Sequence, residues 1–200
     1  IIGGDGDDDI TGSPTGDFID GGRGVDTITA GPGNDTTLGG EGDDRFLFNA
    51  GDGSDRADGG SGSDLYIYNA SVNDDNIEIS PDGAAVIVDN VANGDAMRLD
   101  GFERLNVHTN DSDPGGGPDS VFIEALFGTE LVRVDVRGDL DGNEDLLVLL
   151  GTNGPDTIRL TRQFLGDYEI LGLGPVINSL THFGTQGDTI RVFGNNGDDL

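Results

Sequence analysis

Seven aspartates set the frame of this chain. Asp8, Asp17, Asp26, Asp35 and Asp44 stand nine residues apart, Asp55 follows after eleven, and Asp64 after nine more. Cut from residue 3, the windows read GGDGDDDIT, GSPTGDFID, GGRGVDTIT, AGPGNDTTL and GGEGDDRFL. Past a two-residue insertion come AGDGSDRAD and GGSGSDLYI. Asp is sixth in every window, and Gly is fourth in all but the second, where Gly16 comes one place late. The eighth residue is mostly apolar: Ile10, Ile19, Ile28, Phe46 and Tyr66. Glycines permit positive φ and tight turns. A carboxylate at such a turn is a hard oxygen ligand, and carbonyls freed by the turn add more. One apolar residue in nine cannot build a core alone, but stacked copies align these residues into a ladder.

The windows resemble the RTX (repeat-in-toxin, hemolysin-type) nonapeptide family. The resemblance implies an all-β, right-handed parallel β-roll, with two nonapeptides per turn and Ca²⁺ between loops one turn apart. Carried onto this sequence, it stacks Asp8, Asp26 and Asp44 on one edge and Asp17 and Asp35 on the other. The metal residues it implies are the sixth-position aspartates through Asp55 and Asp64. The turn glycines Gly4, Gly6, Gly22, Gly24, Gly31, Gly33, Gly40, Gly42, Gly60 and Gly62 complete the set. It further implies type I secretion from a bacterium, hence a secreted or cell-surface location, where a glycan or host surface is a partner.

The charge agrees with a cation-dependent fold. The net charge is −29, from 39 acidic residues against 10 basic ones, all of them Arg. Such a chain repels nucleic acid and anionic membranes. Low hydrophobicity with high charge ordinarily means disorder; the regular Asp spacing argues instead for order conditional on a cation. Residues 1–68 hold fourteen Asp and one Glu against three Arg, an excess that about six divalent ions would neutralise. With no cysteine, disulfides and thiolate metal sites are excluded. No apolar run is long enough to span a bilayer as a helix.

The repeats lapse in places. Thr37 fills the apolar slot of the fourth window, so Leu38 is expected to replace it in the core, and Ala57 is a weak core residue in the sixth. The run Phe46-Leu47-Phe48 with Asn49-Ala50 predicts a longer strand or a bulge. From Asn69 the composition shifts to short β runs punctuated by Gly, Asp, Asn or Pro. Three segments match one another, NGDAMRL at 93–99, GPDTIRL at 154–160 and QGDTIRV at 186–192, as do FERLNV from Phe102 and INSLTH from Ile177. These predict further solenoid turns of roughly 25–30 residues, with a β-sandwich inserted between arrays as the alternative. Asp139, Asp141, Asn143 and Asp145 place oxygens at alternate positions around Gly142, like the start of an EF-hand loop, but Leu150 stands where its last glutamate belongs. Asp111, Asp113 and Asp119 form a looser acidic stretch.

No nucleophile elbow or zinc-protease motif occurs, and the paired carboxylates are accounted for by the repeat. His108 and His182 follow related strands and read as turn markers. The chain is therefore expected to be no enzyme. Residues 1–68 form a calcium-loaded β-roll, residues 69–192 a wider β-solenoid or β insert, and residues 193–200 the start of another repeat. Joined end to start, the last seven residues and Ile1-Ile2 spell GNNGDDLII, with Asp199 sixth as a further metal residue. That register predicts copies end to end, as a tandem array or as stacked protomers. The expected function is a calcium-rigidified structural segment of a large extracellular protein such as an adhesin, S-layer or filament. The alternative is the accessory repeat region of a secreted enzyme or pore-forming toxin.

Overall fold

The computed structural model describes residues 1–71, 73–109, 119–124, 126, 129–131, 133–137, 146–150, 159–162, 168–171, 176–181 and 189–193. The regular structure among them is nineteen β-strands. Each nonapeptide contributes a turn and a short strand, so successive strands fall alternately into two sheets. β1 (Ile2–Asp5), β3 (Phe18–Arg23), β5 (Thr36–Glu41) and β7 (Arg56–Ser61) lie side by side in the first. β2 (Asp9–Thr11), β4 (Thr27–Thr29), β6 (Arg45–Asn49) and β8 (Leu65–Asn69) do so in the second. All these pairings are parallel. One turn advances 18 residues, and the two-residue insertion stretches the next to 20.

Strand alternation turns the eighth residue of each nonapeptide inward. Ile10, Ile28, Phe46 and Tyr66 form one buried column, and Ile19, Thr37 and Ala57 form a column in the other sheet. Thr37 itself keeps the core slot, 3% exposed, and Leu38 does not replace it. Leu38 stands in register with Asp20 and Asp58, in the outward row, because a one-residue slip would turn every side chain of the strand over. The Phe46-Leu47-Phe48 run extends β6 without a bulge: Phe48 pairs with Tyr68, ring centroids 5.7 Å apart. Phe102 meets Phe46 and Tyr66 edge-on, at 4.9 and 5.4 Å, the favoured offset for aromatic quadrupoles.

After Asn69 the strands join the same two sheets rather than a separate sandwich. They are β9 (Asn76–Asp82), β10 (Ala85–Asn90), β11 (Asp95–Asp100), β12 (Arg104–His108), β13 (Ser120–Ile123), β14 (Arg133–Arg137), β15 (Leu146–Leu150), β16 (Arg159–Arg162), β17 (Tyr168–Leu171), β18 (Val176–Thr181) and β19 (Thr189–Phe193). The first sheet runs β1-β3-β5-β7-β11-β10-β9-β13-β15-β19 and the second β2-β4-β6-β8-β12-β14-β18-β17-β16. The parallel coil thus continues, interrupted by two antiparallel meanders, β9 to β11 and β16 to β18.

The meanders correct the expected turn length. A step of 29 residues links Gly101 to Glu130, but steps that pass a meander reach 39 and 44. They also separate the three matching segments. The first supplies β11, inside the first sheet; the second supplies β16, at the antiparallel edge of the other; the third supplies β19. Only the pair FERLNV and INSLTH occupies equivalent places, as β12 and β18 on either side of β14.

Candidate metal centre

The chain rounds each corner through glycines with positive φ, +111° at Gly22 and +133° at Gly24. Space constrains them further. A Cβ on Gly22 would stand 2.2 Å from Gly4 O, and one on Gly24 2.2 Å from Gly6 O. The fourth-position N–H then donates to a carbonyl of the next row, Gly6 to Arg23 O at 2.7 Å and Gly24 to Glu41 O at 2.8 Å. Glycine is required because backbone lies against backbone.

This stacking brings the sixth-position aspartates into two columns. Asp8 N–H donates to Asp26 Oδ1 at 2.8 Å, Asp26 N–H to Asp44 Oδ1 at 2.8 Å, and Asp44 N–H to Asp64 Oδ1 at 2.7 Å. On the other edge Asp17 N–H reaches Asp35 Oδ1 at 2.6 Å and Asp35 N–H reaches Asp55 Oδ1 at 2.8 Å. Each carboxylate so bonded gives one oxygen to a backbone N–H. Oδ2 of Asp26, Asp35, Asp44 and Asp64, and that of Asp8 in the first row, is buried and receives no hydrogen bond. An anionic oxygen in that position demands a cation or a proton.

The space beside it is preformed. A Cβ on Gly21 would lie 2.4 Å from Asp26 Oδ2 and 2.6 Å from Gly39 O. One on Gly39 would lie 2.4 Å from Asp44 Oδ2 and 2.4 Å from Gly59 O. The first-position glycine therefore leaves a cradle where a carboxylate oxygen and a carbonyl oxygen of the next row converge. Among the described residues no three acidic or histidine side chains meet at one point, so a cation must draw its remaining ligands from backbone. An all-oxygen set mixing carboxylate and carbonyl suits Ca²⁺. With no cation bound, burial pushes Asp35 and Asp44 above the usual carboxylate range, Asp64 to about 6 and Asp55 to about 7. Backbone N–H donation opposes this, and neighbouring acids reinforce it.

Stacked carboxylates with unshared oxygens, held at the turns of a parallel roll, define a calcium-binding β-roll. Residues 11–46 and 47–70 match the RTX calcium-binding nonapeptide repeat (4 copies), a family whose repeats bind calcium. No curated protein matches the chain.

The predicted glycines, Gly4, Gly6, Gly22, Gly24, Gly31, Gly33, Gly40, Gly42, Gly60 and Gly62, all have positive φ. Asp139, Asp141, Asn143, Asp145 and Asp199 lie outside the described residues, as do Asp111, Asp113 and His182. His108 Nδ1 lies 3.1 Å from Asn69 Oδ1, at the end of β12. Asp17 differs from the other predicted ligands. Ser13 donates both its N–H and its hydroxyl to Asp17 Oδ2, at 2.6 and 2.8 Å, which holds that carboxyl below its ordinary range.

Sequence reasoning missed the first-position glycines Gly3, Gly21, Gly39 and Gly59. The signal was present, since every window opens on Gly or Ala. It also missed an eighth nonapeptide. Asp75 follows Asp64 by eleven residues, as Asp55 follows Asp44, and Ile77 holds the eighth position. Asn73 in the glycine slot obscured it. Asp75 N–H donates to Asp119 Oδ1 at 2.8 Å, extending the stacking. This corner is closed like that of Asp17: Ser71 N–H and hydroxyl reach Asp75 Oδ2 at 2.7 and 2.9 Å, and Asn90 Nδ2 reaches Oδ1.

A paired substitution tests the register. Asp26 is 0% exposed with one oxygen unpartnered, whereas Asp7 is exposed and accepts Val25 N–H at 2.8 Å. Asp26→Ala should raise the calcium needed for half-saturation by about tenfold or more, the effect of losing ~1.4 kcal/mol. Asp7→Ala should change it by less than about threefold. Calorimetric calcium titration of both variants decides, and equal losses would mean the register is wrong.

Proposed function

We propose that the chain is a calcium-rigidified structural segment of a large secreted or surface protein, such as an adhesin, S-layer or filament, and carries no catalysis of its own. The observation that carries this reading is the run of buried Oδ2 atoms without donors at Asp8, Asp26, Asp44 and Asp64. It makes the stiffness of the roll conditional on a cation that is abundant outside cells and scarce inside them. The aspartate columns hold backbone N–H groups with the oxygens an acid–base pair would need, which favours a structural role over a hydrolytic one.

Stacking with further turns is part of the proposal. Each row of the roll presents the same turn to the next: Gly22 and Gly24 pack against the carbonyls of Gly4 and Gly6 as Gly40 and Gly42 do against those of Gly22 and Gly24. A repeat of this kind accepts a further RTX turn in the same register, from a second copy or from more of the same polypeptide. A heterologous end-to-end contact need not close, so it builds fibres. The ten strands of the first sheet, at about 4.8 Å spacing, span roughly 43 Å. Sedimentation velocity of the 200-residue chain in millimolar Ca²⁺ should reveal elongated oligomers that dissociate in EDTA. A chain that stays monomeric at high concentration in calcium would overturn stacking between copies.

A further inference from the structure

The calcium column does not stop where the nonapeptides stop. In the last window of its edge, Asp64 is 0% exposed and its Oδ2 receives no hydrogen bond. By the pattern of the lower rows, Asp64 N–H should donate to a sixth-position aspartate one row on. It donates instead to Glu103 Oε2, at 2.7 Å and 39 residues away. The loop before β12 is short, running from Asp100 through Gly101 and Phe102 to Glu103, yet Arg104 stands in register with Leu65, so Glu103 holds the sixth-position place one row on from Asp64.

The carbonyl half of the site is repeated as well. A Cβ on Gly59 would lie 2.2 Å from Gly101 O and 2.8 Å from Asp64 Oδ2. This matches Gly39, which faces Gly59 O and Asp44 Oδ2, both at 2.4 Å, and Gly21, which faces Gly39 O and Asp26 Oδ2. Gly101 has φ +67° and is anchored in turn by Glu130, whose Oε2 accepts Gly101 N–H at 2.9 Å. Glu103 is also tied to the next row, its carbonyl accepting Arg133 N–H at 3.0 Å. The cradle over Gly59 and Asp64 is thus completed by Gly101 and Glu103, which lie outside the matched repeats, with the buried, unpartnered Asp64 Oδ2 aimed into it.

We propose that Glu103, with Asp64 and Gly101, forms an additional calcium site that joins the nonapeptide roll to the β12 turn. The proposal rests on the calcium reading of the column. Its role is mechanical: it couples the RTX roll to the solenoid beyond residue 69, so that calcium stiffens the junction as well as the roll. Glu103 would hold the ion with one carboxylate oxygen while the other keeps Asp64 N–H.

The test is the number of Ca²⁺ ions bound by the full 200-residue chain, from calorimetry and native mass spectrometry. Glu103→Gln keeps an acceptor for Asp64 N–H but removes the charge, so it should fold in calcium and bind one ion fewer. Glu103→Ala removes the carboxylate altogether and should also lose one ion. A parent chain that binds no calcium would defeat the reading of the whole column. A parent that binds calcium and a Glu103→Gln variant with the same count would overturn this site alone. If Glu103→Gln does not fold, the count of Glu103→Ala decides in the same way. If neither folds, the parent labelled with ¹³C at glutamate Cδ decides. A glutamate carboxyl resonance that moves on calcium addition supports the site, and none moving overturns it.

Discussion

In EDTA, residues 1–68 should lose their β structure, and millimolar Ca²⁺ should restore it. Three effects act together. Fifteen acidic residues against three Arg repel one another in a segment with little apolar area to oppose them. Glycine-rich backbone loses more freedom on ordering than any other. The unpartnered oxygens of Asp8, Asp26, Asp35, Asp44 and Asp64 would be buried as charges with no counter-ion. Each ion at about 100 times its Kd returns ~2.7 kcal/mol if it binds only the folded form, and extracellular calcium modules bind at roughly 10⁻⁴–10⁻³ M. The region from β9 to β15 adds a denser set of large apolar residues to the same continuous core. Ile77, Ile79, Val86, Val88, Leu105, Val121, Ile123, Val134, Leu147 and Leu149 are all buried there, and it should keep residual structure. Circular dichroism of the whole chain with and without EDTA gives the overall change, and amide hydrogen exchange gives its location. An unchanged spectrum, with residues 1–68 equally protected in EDTA, would defeat the prediction.

The same division explains what could be read from the sequence. A nine-residue period with Asp sixth and an apolar residue eighth specifies turn, strand and register at once, because each row repeats the one below. The two aspartate columns were legible for that reason. Thr37 was misjudged because hydropathy was weighed above the pleat: the backbone fixes which residue faces inward, and a threonine can fill the slot between Ile19 and Ala57. The Asp17 corner differs from the others because Ser13 stands where most windows have glycine, and only the geometry brings its N–H and hydroxyl to the carboxylate. Beyond Asn69, similar strings such as NGDAMRL and QGDTIRV report similar strand chemistry. They carry no information on whether a strand continues the coil or belongs to a meander, since that is decided by pairing partners far away in sequence. Glu103 was invisible for the same reason: its partner Asp64 is 39 residues away, with a whole meander between them.

Acid should act with opposite signs in EDTA and in calcium. With no cation bound, burial raises Asp55 to about 7 and Asp64 to about 6, against 3.8 for the ordinary carboxylate. Between those values the folded form binds more protons than the unfolded one, so its stability falls as pH rises. The penalty is absent below 3.8 and fully present above about 7. In EDTA, β structure lost from the roll at pH 7 should therefore be partly recovered as pH is lowered towards 4, read by circular dichroism. Bound calcium stabilises the charged form and takes the folded values below 3.8. The contribution is then present at neutral pH, flat down to about 4, and lost below it as protons displace the ion. The double variant Asp55→Asn with Asp64→Asn keeps both acceptors for the backbone N–H groups while removing the titration. It should flatten the EDTA profile between pH 7 and 5. A parent chain that is less stable at pH 5 than at pH 7 in EDTA would show that these carboxylates are not held in the buried, cation-demanding state that the columns describe.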